Sequence, residues 1–310
     1  MNDETAAVAF ERLRPRLTRL SYRMLGSLAE AEDIVQNAYL RWRDVDPTTV
    51  REPTAYLVRT VTRLCLDQKK SARARRETYI GPWLPEPLIE HPMQEALDAD
   101  ALTLTLMLAL ESLSPLERAA FLLHDIFDRS FDEVAEALGR DPAACRQLAA
   151  RARTHIRAQR PRFKLERDRG AALAKAFFDA SSTGDVAGLQ ALLASDAVVY
   201  SDGGGKAPAT INPIFGLEKI ARLYAGLAVK QAVEETSILL RLVWIDGLPG
   251  FVARDRWGIL YTTALDIEDG RVVAIYTMRN PDKLDRVAAL LDSVPPEDGV
   301  VPIQGSGTLH

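Results

Sequence analysis

Arg146 and Gln147 stand side by side near the start of a helical stretch, and those two side chains suit one task. A guanidinium can donate two parallel hydrogen bonds to guanine, and a carboxamide can pair with adenine as donor and acceptor. Farther along the same stretch, Arg151, Arg153 and Arg157 carry charge but sit past the helix start, a placement that suits phosphates. A second cationic cluster runs from Arg59 through Arg63, Lys69 and Lys70 to Arg76. The formal net charge of the chain is −4, which alone argues against a nucleic-acid partner. Its distribution argues the other way: residues 59–76 carry +6 and residues 140–169 carry +7, while 85–131 carry −7 and everything from Gly170 carries −5. Two basic patches on an acidic chain are an anion-binding footprint that the whole-chain pI conceals. Other chemistries fare worse. Asp202-Gly203-Gly204-Gly205-Lys206 lacks the spacing and the terminal Gly-Lys-Ser/Thr of a phosphate-binding loop. The 2 cysteines, Cys65 and Cys145, form no CxxC, and neither His124 nor His155 has a second ligand at metal spacing. No metal or cofactor is expected.

The elements that must hold these residues are mostly helices. Ser27-Leu28-Ala29-Glu30 opens one as a capping box, and Leu28, Ala31, Val35, Ala38 and Trp42 make its apolar stripe. Pro53 opens the next, where its missing N–H costs nothing, with Leu57, Val61 and Leu64 as the expected buried face and Arg59, Arg63 and Lys70 on another side. Residues 77–100 break the helical grammar: Gly81-Pro82-Trp83-Leu84-Pro85-Glu86-Pro87 is a proline-rich linker with one tryptophan. Helices resume at Ser114-Pro115-Leu116-Glu117 and Ser130-Phe131-Asp132-Glu133, two further capping boxes. Gly139 supplies a left-handed stop, and Asp141-Pro142 starts a third helix whose buried face is Cys145, Leu148, Ala149, Ala152 and Ile156. Helix, short glycine turn, basic helix is the signature of a helix-turn-helix, with the recognition helix at 142–157. From Gly170 the pattern changes to helices at 171–180, 186–194 and 217–227, a strand at 197–201, and strands at 237–245, 251–257, 260–266 and 272–278 with Asp246-Gly247 and Asp269-Gly270 as turns. That is a separate α+β domain ending in an antiparallel meander.

The motif Ala31-Glu32-Asp33-Ile34-Val35-Gln36-Asn37-Ala38-Tyr39-Leu40-Arg41-Trp42 resembles the core-binding helix of sigma-70 family domain 2. Leu113-Ser114-Pro115-Leu116-Glu117-Arg118 followed by the helix-turn-helix resembles sigma domain 4. With no domain between them, the arrangement is similar to an extracytoplasmic-function (ECF) sigma factor. Trp83-Leu84-Pro85-Glu86-Pro87, Asp202–Lys206 and Asn280-Pro281-Asp282-Lys283-Leu284 resemble the marks of ECF factors that carry a SnoaL-like C-terminal extension, of the cone-shaped fold shared with ketosteroid isomerase. The expected organisation is therefore sigma domain 2 over 1–77, a linker over 78–100, sigma domain 4 over 101–165, a SnoaL-like α+β domain over 170–292, and a flexible tail over 293–310.

The resemblance implies partners and roles. Core RNA polymerase would lie against Asp33, Gln36 and Asn37, and promoter DNA would be held both as duplex and as single strand. The duplex upstream element falls to Arg146 and Gln147, with Arg151, Arg153 and Arg157 on its phosphates. The opened strand falls to Tyr56, Arg59, Arg63, Lys69 and Lys70, with Trp42 in the core. The recognition helix reads Ala143-Ala144-Cys145 before its arginine, where many ECF factors have hydroxyl residues, so no promoter sequence carries over. Trp83, Pro85, Asp202, Gly203, Gly204, Gly205, Lys206, Asn280, Pro281, Asp282, Lys283 and Leu284 are expected to form a regulatory contact between the C-terminal domain and the sigma domains. The rival reading is a ligand-sensing or catalytic SnoaL-like domain fused to a helix-turn-helix regulator. On that reading Tyr200, Asp202, Tyr261 and Tyr276 line a cavity that holds a small ligand. With no signal peptide and no apolar run near 20 residues, the expectation is a cytoplasmic protein without membrane contact, monomeric when free.

Overall fold

A computed structural model describes residues 3–46, 49–77, 79–90, 104–157, 166–230 and 237–293. The expected tail beyond Ser293, most of the second half of the linker and the side chain of Arg157 lie outside the described residues. The chain forms two compact units, one of residues 1–78 with 105–160 and the other of 79–104 with 161–310. The two sigma-like segments, expected as separate domains, thus share one unit, and the linker belongs to the C-terminal one.

The first unit is helical: α1 (Asp3–Leu25), α2 (Leu28–Arg43), α3 (Pro53–Glu77), α4 (Leu104–Glu111), α5 (Pro115–Phe121), α6 (Phe131–Leu138) and α7 (Pro142–Arg157). Ser27 accepts from the Glu30 amide, while Ser114 with Glu117 and Ser130 with Glu133 close full capping boxes. Ala31, Ile34, Val35, Ala38 and Trp42 bury the expected face of α2, which packs on α1, where Leu17, Leu20 and Leu25 are also buried. On α3 the buried row is Leu57, Val58, Val61, Thr62 and Cys65 rather than one ending at Leu64, which is half-buried. Burial pushes the Cys65 thiol up to about 12, so the thiolate that would react is suppressed. At pH 8, iodoacetamide should leave Cys65 unmodified in the folded chain and alkylate it in urea. Labelling of the native protein at the urea rate would refute this packing.

The second unit holds α8 (Arg167–Thr183), α9 (Val186–Leu192) and α10 (Leu217–Lys230) against a 6-stranded sheet ordered β2-β1-β6-β5-β4-β3. The strands are β1 (Leu193–Asp202), β2 (Ile214–Phe215), β3 (Ile238–Ile245), β4 (Leu248–Arg254), β5 (Leu260–Glu268) and β6 (Arg271–Met278), followed by α11 (Asp285–Ser293). The expected meander is present from β3 to β6. Its two tight hairpins carry positive φ at both central residues, Asp246 (46°) with Gly247 (73°) and Asp269 (50°) with Gly270 (78°), as right-handed strand twist requires of a two-residue loop. The meander does not complete the sheet, because β1 pairs with β6 in parallel. Local pattern reveals strands but not a pairing across more than seventy residues. One face of the sheet packs Phe251, Ala253, Leu265 and Ile275 against Phe177, Leu189 and Ile220 of the helices.

Candidate functional site

Three surfaces of the first unit carry the expected contact residues. On α2, Asp33, Gln36 and Asn37 are all exposed, on the side away from the buried stripe. On α7, burial of Cys145, Ala149, Ala152 and Ile156 turns Arg146, Gln147 and Arg151 outward. The turn before α7 is built as expected. Gly139 adopts φ 63°, and the Asp141 carboxylate accepts from the Ala144 amide at 2.8 Å. The Arg146 guanidinium lies 5.5 Å from the Phe131 ring centroid, a stacking contact that restrains a flexible side chain. Arg153 instead donates to Asp125 at 2.6 Å. Arg157 belongs to α7, its side chain outside the described residues.

On α3 the arrangement departs from expectation. Tyr56 rests on buried Trp42, ring centroids 5.5 Å apart, with the Arg59 guanidinium 5.6 Å from its own ring. Lys70 is exposed and pairs with Asp67 at 3.0 Å. Lys69 is not on that surface. It is buried, 3.6 Å from the Glu111 carboxylate at the end of α4. The reason is helical phase: Lys69 follows Cys65 by four residues and so falls on the buried row. Arg63 donates to the Ala137 and Glu136 carbonyls, and Arg59 pairs with the Glu136 carboxylate. Sequence reading missed Glu111 and Glu136 as partners, since nothing local ties α4 or α6 to α3.

The two C-terminal motifs converge on the third, in the linker. Asp202, at the end of β1, is fully buried, and its carboxylate accepts from the Tyr79 hydroxyl (2.5 Å), the Leu84 amide (2.9 Å), the Gly204 amide (3.0 Å) and the Lys283 ammonium (2.8 Å). Lys283 also donates to the Leu84 carbonyl at 2.6 Å and lies 4.2 Å from the Trp83 ring centroid. Asn280 donates to the Tyr79 hydroxyl and caps the turn Pro281–Lys283 by accepting from the Asp282 amide. Lys206 pairs with Asp282 at 2.5 Å. Gly204 has φ +60°, and a Cβ there would collide with the Asn280 side chain, which explains glycine at that position. Pro85 and Leu284 are buried beside this clasp, and Gly203 and Gly205 complete its loop. A second hold lies farther along the linker. Leu88 and Asp246 exchange hydrogen bonds, the Glu90 amide donates to the Trp244 carbonyl, and the Glu90 carboxylate accepts from Gly247 and Arg167. The linker thereby covers the end of edge strand β3.

The described contacts of these motifs run to residues 79–90 of the linker. A buried carboxylate must be given donors, and the linker's tyrosine and amide give them. Tyr79 carried no sequence signal, being a lone tyrosine after an arginine-rich helix.

The residues of the rival enzymatic reading are not gathered around one cavity. Strand register puts Tyr200 opposite Tyr276, with rings stacked 5.5 Å apart, on one face of the sheet. Tyr261 lies on the other face against Phe251, where burial raises its pKa. Among the described residues, no group of three His, Cys, Asp or Glu could hold a metal, and no helix is long and apolar enough to cross a membrane.

Comparison with known proteins covers both helical segments. Sigma-70 region 2 matches residues 9–75 and sigma-70 region 4 matches 103–156. The chain is 38% identical over 287 residues to the ECF RNA polymerase sigma factor SigJ of Mycobacterium tuberculosis, covering 88% of this chain and 91% of that one. It is 29% identical over 294 residues to the protein named Probable ECF RNA polymerase sigma factor SigI of the same species, covering 93% of this chain and 98% of that one. The crystal structure of M. tuberculosis SigJ superposes with a TM-score of 0.68 at 33% identity, covering 90% of this chain and 98% of that one. Two sigma-type helical segments in the order region 2, region 4, followed by an α+β domain that clasps the linker between them, and this similarity over nearly the whole chain, place this chain in the extracytoplasmic-function sigma factors of RNA polymerase.

Proposed function

We propose that this sigma factor divides its work among the surfaces just described. Asp33, Gln36 and Asn37 bind core polymerase. Arg146 and Gln147 read base edges of the upstream promoter element, with Arg151, Arg153 and Arg157 on phosphates. The face of α3 around Tyr56, Arg59, Arg63 and Lys70 takes the opened strand in the cytoplasm, where the monomeric factor meets polymerase. The observation that carries most of this reading is the phase of α7: every residue assigned to the base edges is exposed, and the alternate row is core. Arg146→Ala should weaken binding to the cognate upstream duplex by about 1–3 kcal/mol and relax preference at one base pair, whereas Arg151→Ala should weaken all sequences alike. Unchanged preference in the Arg146 variant, measured by competition among duplexes, would remove it from the reader.

The C-terminal domain, on this reading, regulates rather than catalyses. Both Asp202 oxygens are already engaged, which leaves no free base there. By holding residues 79–90, the domain takes up about 40 Å of the contour that joins regions 2 and 4. It thereby limits how far the two DNA-binding regions can separate. Promoter-specific transcription by the full chain, by one ending near Arg169 and by one ending before Asn280 tests this. Equal activity from all three would make the C-terminal domain a passenger.

A further inference from the structure

We propose, on the reading of Arg146 as a base-edge reader given above, that Phe131 is its positioning residue. The ring is a shelf, backed by His124, that holds the guanidinium at the start of the recognition helix and so sharpens preference at one base pair of the upstream element.

The kind of contact matters first. Among the described residues, no carboxylate or carbonyl bonds the exposed Arg146 guanidinium, and the group that meets it is the Phe131 ring, 5.5 Å from Cζ to centroid. Nearby arginines are held differently: Arg153 donates to Asp125 at 2.6 Å and Arg129 to Glu133 at 3.1 Å. An arginine tied to a carboxylate has committed part of its fork to that partner. A guanidinium held by an aromatic face keeps its N–H donors. Guanine O6 and N7 need two of them in parallel. An aromatic hold therefore positions a reader without occupying it.

The ring is itself built in. Phe131 is the first residue of α6, and the capping box of Ser130 and Glu133 fixes the backbone around it. Before it, α5 continues into a wide π turn, Leu122–Ile126, whose Leu122 carbonyl accepts from the Phe127 amide at 2.9 Å. Turns widened in this way recur at functional sites. From this one His124 stacks on Phe131, with ring centroids 3.9 Å and planes 28° apart. The His124 Nδ1 lies 2.7 Å from the Arg129 carbonyl oxygen. A carbonyl only accepts, so Nδ1 carries the proton. Asp128, at φ 54°, makes the left-handed bend between them, a conformation aspartate tolerates. A ring stacked this closely fills one face of Phe131 and leaves the guanidinium the rest. Ordering a long side chain opposes binding, and the shelf removes part of that cost before DNA arrives. The gain is realised only where Arg146 finds its base, so it raises discrimination rather than general affinity.

The test uses the full chain in complex with core RNA polymerase. The probes are duplexes selected from a randomised pool by that complex: the preferred upstream element and its single base-pair variants, compared by competition. Phe131→Leu removes the ring and keeps an apolar side chain at this half-buried position. It should weaken binding to the preferred duplex about fivefold. Binding to the duplex altered at the base pair where Arg146→Ala relaxes preference should stay nearly unchanged. Phe131→Tyr, which keeps the ring, should behave as the parent. With Arg146→Ala already in place, Phe131→Leu should add no further loss, because the ring acts through the arginine. If Phe131→Leu matches the parent on every duplex while Arg146→Ala loses preference, the shelf is overturned and the reader stands. If Phe131→Leu weakens all duplexes alike, in the Arg146→Ala background too, the ring supports the fold alone and the proposal falls. If Arg146→Ala itself leaves preference unchanged, the reading fails and the shelf falls with it.

Discussion

Replacing Arg118 with alanine should destabilise the first unit by about 3–5 kcal/mol, the range for breaking a buried ion pair from one side. Arg118 has no exposed surface. Its Nη1 donates to the Met24 carbonyl at 2.9 Å and to the Glu111 carboxylate at 2.5 Å, and Lys69 approaches the same carboxylate at 3.6 Å. Truncation takes a cation from the Glu111 carboxylate and a donor from the carbonyl of Met24, in the last turn of α1. It also opens a cavity of guanidinium size in close-packed surroundings. Arg118→Lys should recover only part of the loss, since the shorter stem does not carry its ammonium as far as Nη1 and leaves part of the guanidinium's space unfilled. The measurement is the denaturant midpoint of the full chain by far-ultraviolet circular dichroism. A loss under about 1 kcal/mol would assign this tie the weight of a surface pair. Because Met24 belongs to the region 2 segment and Arg118 to region 4, the same variant should loosen the association of the two segments.

Asp202→Ala should release the linker from the C-terminal domain, at a cost of about 3–5 kcal/mol to its docking. The carboxylate is fully buried and accepts from four donors. Without it the Leu84 amide has no acceptor among those described, and the mostly buried Lys283 ammonium keeps the Leu84 carbonyl but loses the Asp202 carboxylate. Tyr79→Phe removes one hydrogen bond and should cost only about 1 kcal/mol. Native-state amide exchange at Leu84 reads both. Its protection should fall by orders of magnitude in Asp202→Ala and by about tenfold or less in Tyr79→Phe. Proteolysis within residues 79–90 should follow the same order. Unchanged protection at Leu84 would show that the second hold, at Glu90 and Asp246, carries the linker by itself.

Much of this protein is determined by its sequence alone. Capping boxes at Ser114 and Ser130, the stop at Gly139 and the two Asp-Gly hairpins are local devices, each satisfied by groups three or four residues away, so their residues suffice to locate them. The same holds for the outward phase of Arg146 and Gln147, which follows from the apolar row beside them. The family motifs of regions 2 and 4 lie within single helices or adjoining pairs, and they were legible for that reason. What the tertiary structure decided depends on partners distant in the chain. Lys69 reads as a free cation until Glu111 of α4 is placed beside it. Arg59 and Arg63 read as open phosphate contacts until α6 covers them. Tyr200, Tyr261 and Tyr276 read as one cluster until strand register sends them to opposite faces of the sheet. The parallel pairing of β1 with β6 and the docking of residues 79–90 on Asp202 belong to the same class. A buried charge or an orphan carbonyl takes whichever donor the fold delivers, and only the assembled fold specifies which one that is.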